Sequence, residues 1–230
     1  DLLEKYINPK TKLLLLNNPS NPTGSVYTKE ELREIVDVCI EKNIYILADE
    51  IYERICYNDE FISIASLGDD VKDITITVNG FAKSAAMTGL RLGYTASNKE
   101  IAKGMSAIQG HLVSHPSLTA QYIGYGALKY CKDDIDNMTK EAVNRIAKFN
   151  GAFYVFIDLS QVAKKYKYNE SFSVEFCDEF LSKYNVAIVP GQAFGIDEYV
   201  RISYACSEEE FIEGLNRLEK FILEIMDINN

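Results

Sequence analysis

A pattern that recurs three times constrains this chain's fold most: a short apolar run that gives way at once to a polar loop. Leu13 to Leu16 leads into Asn17-Asn18-Pro19-Ser20-Asn21-Pro22-Thr23-Gly24, and Ile44 to Leu47 leads into Ala48-Asp49-Glu50-Ile51-Tyr52-Glu53. Ile74 to Val78 leads into Asn79-Gly80-Phe81-Ala82-Lys83-Ser84. Short runs of this kind bounded by turn residues read as strands. Between the first two, Thr28 and Glu31 form a capping-box signature, and Leu32, Ile35, Val36, Cys39 and Ile40 follow at helical spacing as far as Asn43. Strand, helix and strand in that order predict an α/β fold with a mostly parallel sheet. Ligands of such sheets bind beyond the carboxyl ends of the strands, so Asn21, Asp49 and Lys83 are expected to converge on one crevice.

Leu92 to Ala96 reads as a further strand. The dozen residues between it and Val78 are too few for a helical crossover, which predicts an antiparallel neighbour. Helical patterns follow at Lys99 to Leu112, at Pro116 to Tyr130 with the proline in the first turn, and at Asp133 to Phe149. Gly151 marks a change to a β pattern over Ala152 to Asp158. The chain is therefore expected to divide into a large unit over 1–145 and a small C-terminal α/β unit over 146–230. The small unit has a helix from Ser171 to Tyr184, strands at Val186 to Val189 and Tyr199 to Tyr204, and a last helix capped by Ser207 with Glu210.

At 230 residues the chain can bury a full core. Its net charge of −10 argues against nucleic acid as a partner, because phosphate binding needs clustered Lys and Arg. There is no apolar run long enough to span a bilayer and no charged-then-apolar leader, so no membrane contact and a cytoplasmic location are the expectation. Cys39, Cys56, Cys131, Cys177 and Cys206 form no close pairs and read as mostly buried thiols rather than a zinc or disulfide framework. His111 and His115 are four apart, but no third ligand stands nearby and Pro116 ends the segment, so no metal site is expected.

Four segments together carry a resemblance. They are Pro-Ser-Asn-Pro-Thr-Gly from Pro19, Ala-Asp-Glu-Ile-Tyr from Ala48, the Lys83 segment with Met87-Thr88-Gly89-Leu90-Arg91, and Val189-Pro190-Gly191-Gln192-Ala193-Phe194-Gly195 followed by Arg201. Each alone is weak: an Asn-Pro-Thr-Gly is an ordinary turn, and a lysine after a strand is ordinarily a solvated charge. As a set they resemble class I aminotransferases of the aspartate aminotransferase type, pyridoxal-phosphate enzymes of fold type I.

The resemblance implies that the chain is the C-terminal part of such a fold and uses pyridoxal 5′-phosphate to move an amino group from an amino acid, aspartate by analogy, to a 2-oxo acid. It implies that Lys83 forms the internal aldimine and then shuttles a proton at the substrate Cα. Asp49 matches the partner of the pyridine nitrogen, Asn21 and Tyr52 the partners of the phenolic oxygen, and Arg91 the phosphate clamp. Arg201, with Asn21, matches the site for the substrate α-carboxylate. A homodimer is implied as well. In relatives the Pro-Ser-Asn-Pro-Thr-Gly segment lies near mid-chain, and the connection between Tyr130 and Gly151 is longer. An incomplete or non-catalytic chain of the same fold and a carbon–sulfur lyase are the competing expectations.

Overall fold

The apolar runs become strands because turn-forming residues bound each one, and over Ile44 to Leu47 buried and more exposed side chains alternate. The computed structural model of the protein describes residues 2–57, 61–145 and 150–226. Contacts divide the chain into two units, one of Asp1–Ser20 with Ser25–Ala152, the other of Asn21–Gly24 with Phe153–Asn230. The boundary expected at residue 146 lies outside the described residues.

In the first unit a short helix α1 (Leu2–Tyr6) precedes β1 (Leu13–Asn17), α2 (Lys29–Glu41) and β2 (Tyr45–Asp49). A 3₁₀ turn at Ile64–Ser66 and α3 (Asp69–Ile74) lead to β3 (Thr75–Gly80), and β4 (Gly93–Ala96) closes the sheet. The strand order is β1-β2-β3-β4. The first two pairings are parallel and the third is antiparallel, as the short link from Val78 to Leu92 predicts. Register aligns Asn17 with Asp49 and Asp49 with Val78, so the three polar loops leave the sheet along one edge.

The capping box of α2 forms as expected: the Thr28 hydroxyl accepts from Glu31 N, and Thr28 N donates to the Glu31 carboxylate. Leu32, Val36 and Cys39 on that helix pack with Ile44, Ile46, Ala48, Ile64 and Val71 into one core. Ile74 belongs to the end of α3 and not to the strand, which begins at Thr75. Helices α4 (Lys99–Leu112), α5 (Leu118–Tyr130) and α6 (Lys132–Arg145) follow. Pro116 precedes the Ser117 cap of α5 and is not in its first turn. The part of the last helical pattern beyond Arg145 lies outside the described residues up to Phe149.

In the second unit β5 (Tyr154–Asp158), α7 (Ser160–Ala163), α8 (Phe172–Tyr184), β6 (Val189–Pro190), β7 (Tyr199–Ser203) and α9 (Glu208–Ile225) build an antiparallel sheet of order β5-β7-β6 with helices. Phe172, Phe176, Phe180 and Phe221 are almost wholly buried in its core, and the Phe221 ring lies 4.9 Å from Phe176 and 5.6 Å from Phe180 between centroids. The strand expected from Val186 is confined to Val189 and Pro190. Pro190 has no N–H to carry a ladder onward, and a 3₁₀ turn at Gly191–Phe194 follows directly.

Burial of the cysteines is less general than expected: Cys39 and Cys177 are buried, Cys56 and Cys131 half-buried, and Cys206 exposed. Burial pushes the Cys39 thiol up to about 11 and the Cys177 thiol up to about 12, which leaves both inert as nucleophiles at neutral pH. His111 is in the last turn of α4, whereas His115 lies beyond it with Nδ1 2.8 Å from Pro116 O, so the two do not share a helix face. Among the described residues no helix is long and apolar enough to cross a membrane.

Candidate active site

At the carboxyl edge of the first unit's sheet, backbone and side chains lock the three strand ends together. Asn17 Nδ2 and Asn18 N both donate to Asp49 O at 3.1 Å, and Glu50 N donates to Val78 O at 2.9 Å. Asp49 Oδ1 accepts from Ile51 N at 3.3 Å, a local turn that fixes the half-buried carboxylate at the end of β2. Tyr52, three residues on, is 3% exposed. The amine of half-buried Lys83 lies 5.7 Å from the centroid of the Tyr52 ring, within range of a cation–π contact. Asp49 thus ends one strand, and Tyr52 and Lys83 occupy the loops that follow it and its parallel neighbour.

Glu50 has a different part from its neighbour. It is 3% exposed, and its Oε1 accepts from the Ser63 hydroxyl and from Ile64 N, both at 3.0 Å. Burial pushes its carboxyl up to about 6; the two hydrogen bonds oppose the rise, and the nearby Glu53 and Asp49 charges add to it. This acid ties the end of β2 to the 3₁₀ turn before α3, a role that no local spacing announces.

Gly80 is required by the close approach of two strands. It is the last residue of β3, and a Cβ there would lie 2.9 Å from Leu92 O and 3.0 Å from the Gly93 Cα on the adjacent strand. That close approach delivers the chain to Phe81 and Lys83, where Ala86 N donates to Lys83 O at 3.2 Å. Arg91 follows the 3₁₀ turn Thr88–Leu90 with φ 50° in the left-handed region. It is exposed, and its Nη1 donates to Thr88 O at 2.9 Å.

The second unit holds the other two predicted residues. Arg201, on β7, donates from Nη1 to Asn21 Oδ1 at 2.9 Å. Its guanidinium carbon is 4.2 Å from the Tyr154 ring centroid and 5.2 Å from that of Phe194. Its Nε is buried and has no hydrogen-bond partner among the described residues. A planar cation lying against aromatic rings, with a buried donor still to satisfy, suits a carboxylate. The predicted site residues therefore form two sets, Asp49, Tyr52, Lys83 and Arg91 in the first unit and Asn21 with Arg201 in the second. No local pattern marks Tyr154 as a neighbour of Arg201, and Phe194 stands out only within the Val189–Gly195 motif.

The family model described as aminotransferase class I and II matches residues 1–218. A probable aspartate/prephenate aminotransferase of Aquifex aeolicus is 41% identical over 243 residues, with 98% of this chain and 60% of that protein covered. An aspartate aminotransferase of Bacillus sp. strain YM-2 is 39% identical, with 96% of this chain and 60% of that protein covered. Among solved structures, the aromatic aminotransferase of Pyrococcus horikoshii superposes with a TM-score of 0.86 at 36% identity, over 96% of this chain and 62% of that one. The chain thus spans about 60% of the length of the curated relatives it matches.

Proposed function

The chain belongs to the class I and II aminotransferases, and from that premise we propose that it works with pyridoxal phosphate to transfer an amino group from an amino acid to a 2-oxo acid. The observation that carries the proposal is the amine of Lys83 held beside the buried Tyr52 ring, in a loop next to the Asp49 strand end. The relatives from Aquifex aeolicus and Bacillus are named for aspartate, which supports aspartate as the donor.

The donor set fits the cofactor in kind. Lys83 supplies a primary amine, Asp49 a carboxylate for the ring nitrogen, Tyr52 a hydroxyl for the ring oxygen and Arg91 a guanidinium for the phosphate. When bound, the cofactor supplies an electron sink for negative charge developing at the substrate Cα. Lys83 Nζ then acts as the base that takes the Cα proton and returns it elsewhere, which needs an amine of fixed position. With the cofactor bound, Asp49 would keep the ring nitrogen protonated and Tyr52 would donate a hydrogen bond favouring the ionised ring oxygen, a role the same proposal gives to Asn21. Arg201 binds the α-carboxylate through its fork, with Asn21 setting the plane of the guanidinium. Homodimeric assembly and a cytoplasmic location belong to the same proposal and rest on the family.

The test is to add pyridoxal phosphate, record the near-visible absorbance, reduce with borohydride and map the added mass. The expected result is a single adduct on Lys83, followed in unreduced protein by formation of glutamate from aspartate and 2-oxoglutarate. An adduct elsewhere, or none, overturns the proposal. Release of pyruvate and ammonia from a cysteine-type substrate without any oxo acid would overturn transamination in favour of a lyase.

A further inference from the structure

Two rings held in unlike ways lie near the Arg201 guanidinium. Tyr154 is fixed by the sheet, since β5 pairs with β7 and aligns Tyr154 with Ser203 and Phe156 with Arg201. Phe194 lies outside the strands: its ring meets that of Phe156 edge-on with centroids 5.7 Å apart, but its backbone belongs to a turn. It ends the 3₁₀ turn Gly191–Phe194, between the two-residue strand β6 and β7. A loop of this kind needs external anchors to keep a side chain in one place.

The anchors are Asp197 and Ser173. The Asp197 carboxylate receives four hydrogen bonds from the first turn of α8. Oδ1 accepts from the Ser171 hydroxyl at 2.6 Å, the Ser173 hydroxyl at 2.8 Å and Ser173 N at 3.1 Å, and Oδ2 accepts from Phe172 N at 2.9 Å. Ser173, fully buried, uses its oxygen a second time, accepting from Gln192 N at 3.1 Å. The loop is thereby fastened to α8 on both sides of Phe194, at Gln192 and at Asp197. That helix is itself set by Phe172, Phe176 and Phe180 in the core. Burial pushes the Asp197 carboxyl up, but the hydrogen bonds from Ser171, Ser173 and Phe172 outweigh it and hold the group below the usual range.

We propose that Asp197, acting with Ser173, is a positioning residue for Arg201: it fixes the 191–197 loop and with it the Phe194 ring that bounds one side of the guanidinium. This rests on the proposed role of Arg201 in binding a substrate carboxylate. The competing role for Asp197 is that of a remote cap for α8, to which Ser171 already contributes by accepting from Val174 N. A cap stabilises the fold and leaves the carboxylate affinity of the folded protein alone. A positioning residue changes that affinity.

The experiment measures calorimetric binding of maleate, a dicarboxylate without an amino group, together with thermal melting, for the wild type, Arg201→Ala, Asp197→Ala, Asp197→Asn and Ser173→Ala. Asp197→Ala and Ser173→Ala are expected to weaken maleate binding on the order of 10-fold in folded protein. Ser173→Ala leaves Asp197 its bonds to the Ser171 hydroxyl, Phe172 N and Ser173 N, so its melting point should fall less than that of Asp197→Ala. Asp197→Asn can keep the oxygen that takes three donors but sets its NH2 against Phe172 N, so it should bind between the wild type and Asp197→Ala. If Arg201→Ala abolishes binding while Ser173→Ala and folded Asp197→Ala bind as the wild type, the positioning role is overturned. Wild-type protein that ignores maleate, or Arg201→Ala that binds it unchanged, overturns instead the proposed role of Arg201.

Discussion

Arg201 Nη1 donates a 2.9 Å hydrogen bond to Asn21 Oδ1, joining residues 180 positions apart in one unit of the fold. The bond spends one donor of the guanidinium on a neutral oxygen. The buried Nε keeps no partner among the described residues. Leaving a buried donor unmet costs about 1–3 kcal/mol, and an incoming carboxylate would recover that cost. The Tyr154 ring 4.2 Å away and the Asn21 bond together restrain the guanidinium where the carboxylate would be met.

Replacing Arg201 by lysine should therefore be far from conservative, because an ammonium retains the charge but neither stacks as a plane nor presents a fork. The expected effect is a rise in KM for the amino-acid substrate on the order of 10- to 100-fold, as loss of one or two charge-assisted hydrogen bonds gives. Asn21→Ala should raise KM less. Steady-state kinetics of the loaded protein decide it, and an unchanged KM for Arg201→Lys would remove Arg201 from the substrate site.

Tyr52 offers a test that keeps the fold. Its ring is buried and lies beneath the Lys83 amine, so Tyr52→Phe retains the packing and the ring contact while deleting the hydroxyl. If that hydroxyl stabilises an ionised ring oxygen, its loss should move the pH midpoint of the bound cofactor's near-visible band upward by about one unit. The melting temperature should change little. A pH titration of absorbance checks this, and an unmoved midpoint would return Tyr52 to a packing role.

Glu50 makes a prediction about stability. Its carboxyl titrates near 6 in the folded chain against an ordinary value of 4.5, so the folded state binds this proton more tightly than the unfolded state does. The associated stability is fully present below about pH 4.5 and is lost as pH rises through about 6, amounting to roughly 2 kcal/mol. Both donors to Glu50 reach Oε1, and a glutamine carbonyl can accept both. Glu50→Gln is expected to stabilise the protein at pH 7.5 by up to about 2 kcal/mol and to do little at pH 4.5. Urea melts at the two pH values measure the difference, and equal effects at both would show that Glu50 does not titrate as described.

What the sequence revealed is what is local. The capping boxes at Thr28 with Glu31 and Ser207 with Glu210 each form between residues three apart, so spacing alone shows them. The antiparallel β3–β4 pairing was legible because chain length between strands limits the connection. Ile74 reads as a strand residue and ends α3 instead, because an apolar residue ending a helix and one opening a strand look alike when the two elements abut. The bonds from Ser171, Phe172 and Ser173 to Asp197 span 24 to 26 positions, and the Arg201 bond to Asn21 spans 180. Such pairings arise from the tertiary fold and leave no periodicity to read. Glu50 was invisible for the same reason, its partners lying 13 and 14 residues away.

Two glycines four positions apart in the loop beside Arg201 should respond in opposite ways to the same substitution. A Cβ on Gly191 would lie 2.2 Å from Ile196 O and 2.3 Å from Tyr199 O, distances no side chain sustains, and both obstacles are backbone. The turn must therefore open, losing the Ile196 N bond to Gly191 O and drawing Phe194 away from the guanidinium. Gly195 has open space around its Cβ direction but a φ of 84°, so alanine there meets only the left-handed penalty of about 1–2 kcal/mol. Gly191→Ala is expected to cost at least about 3 kcal/mol and to weaken carboxylate binding as well. Gly195→Ala should lower stability modestly and leave binding close to the wild type. Paired urea melts and maleate titrations separate them, and a Gly191→Ala protein as stable as Gly195→Ala would show that the loop does not pack as closely as the structure places it.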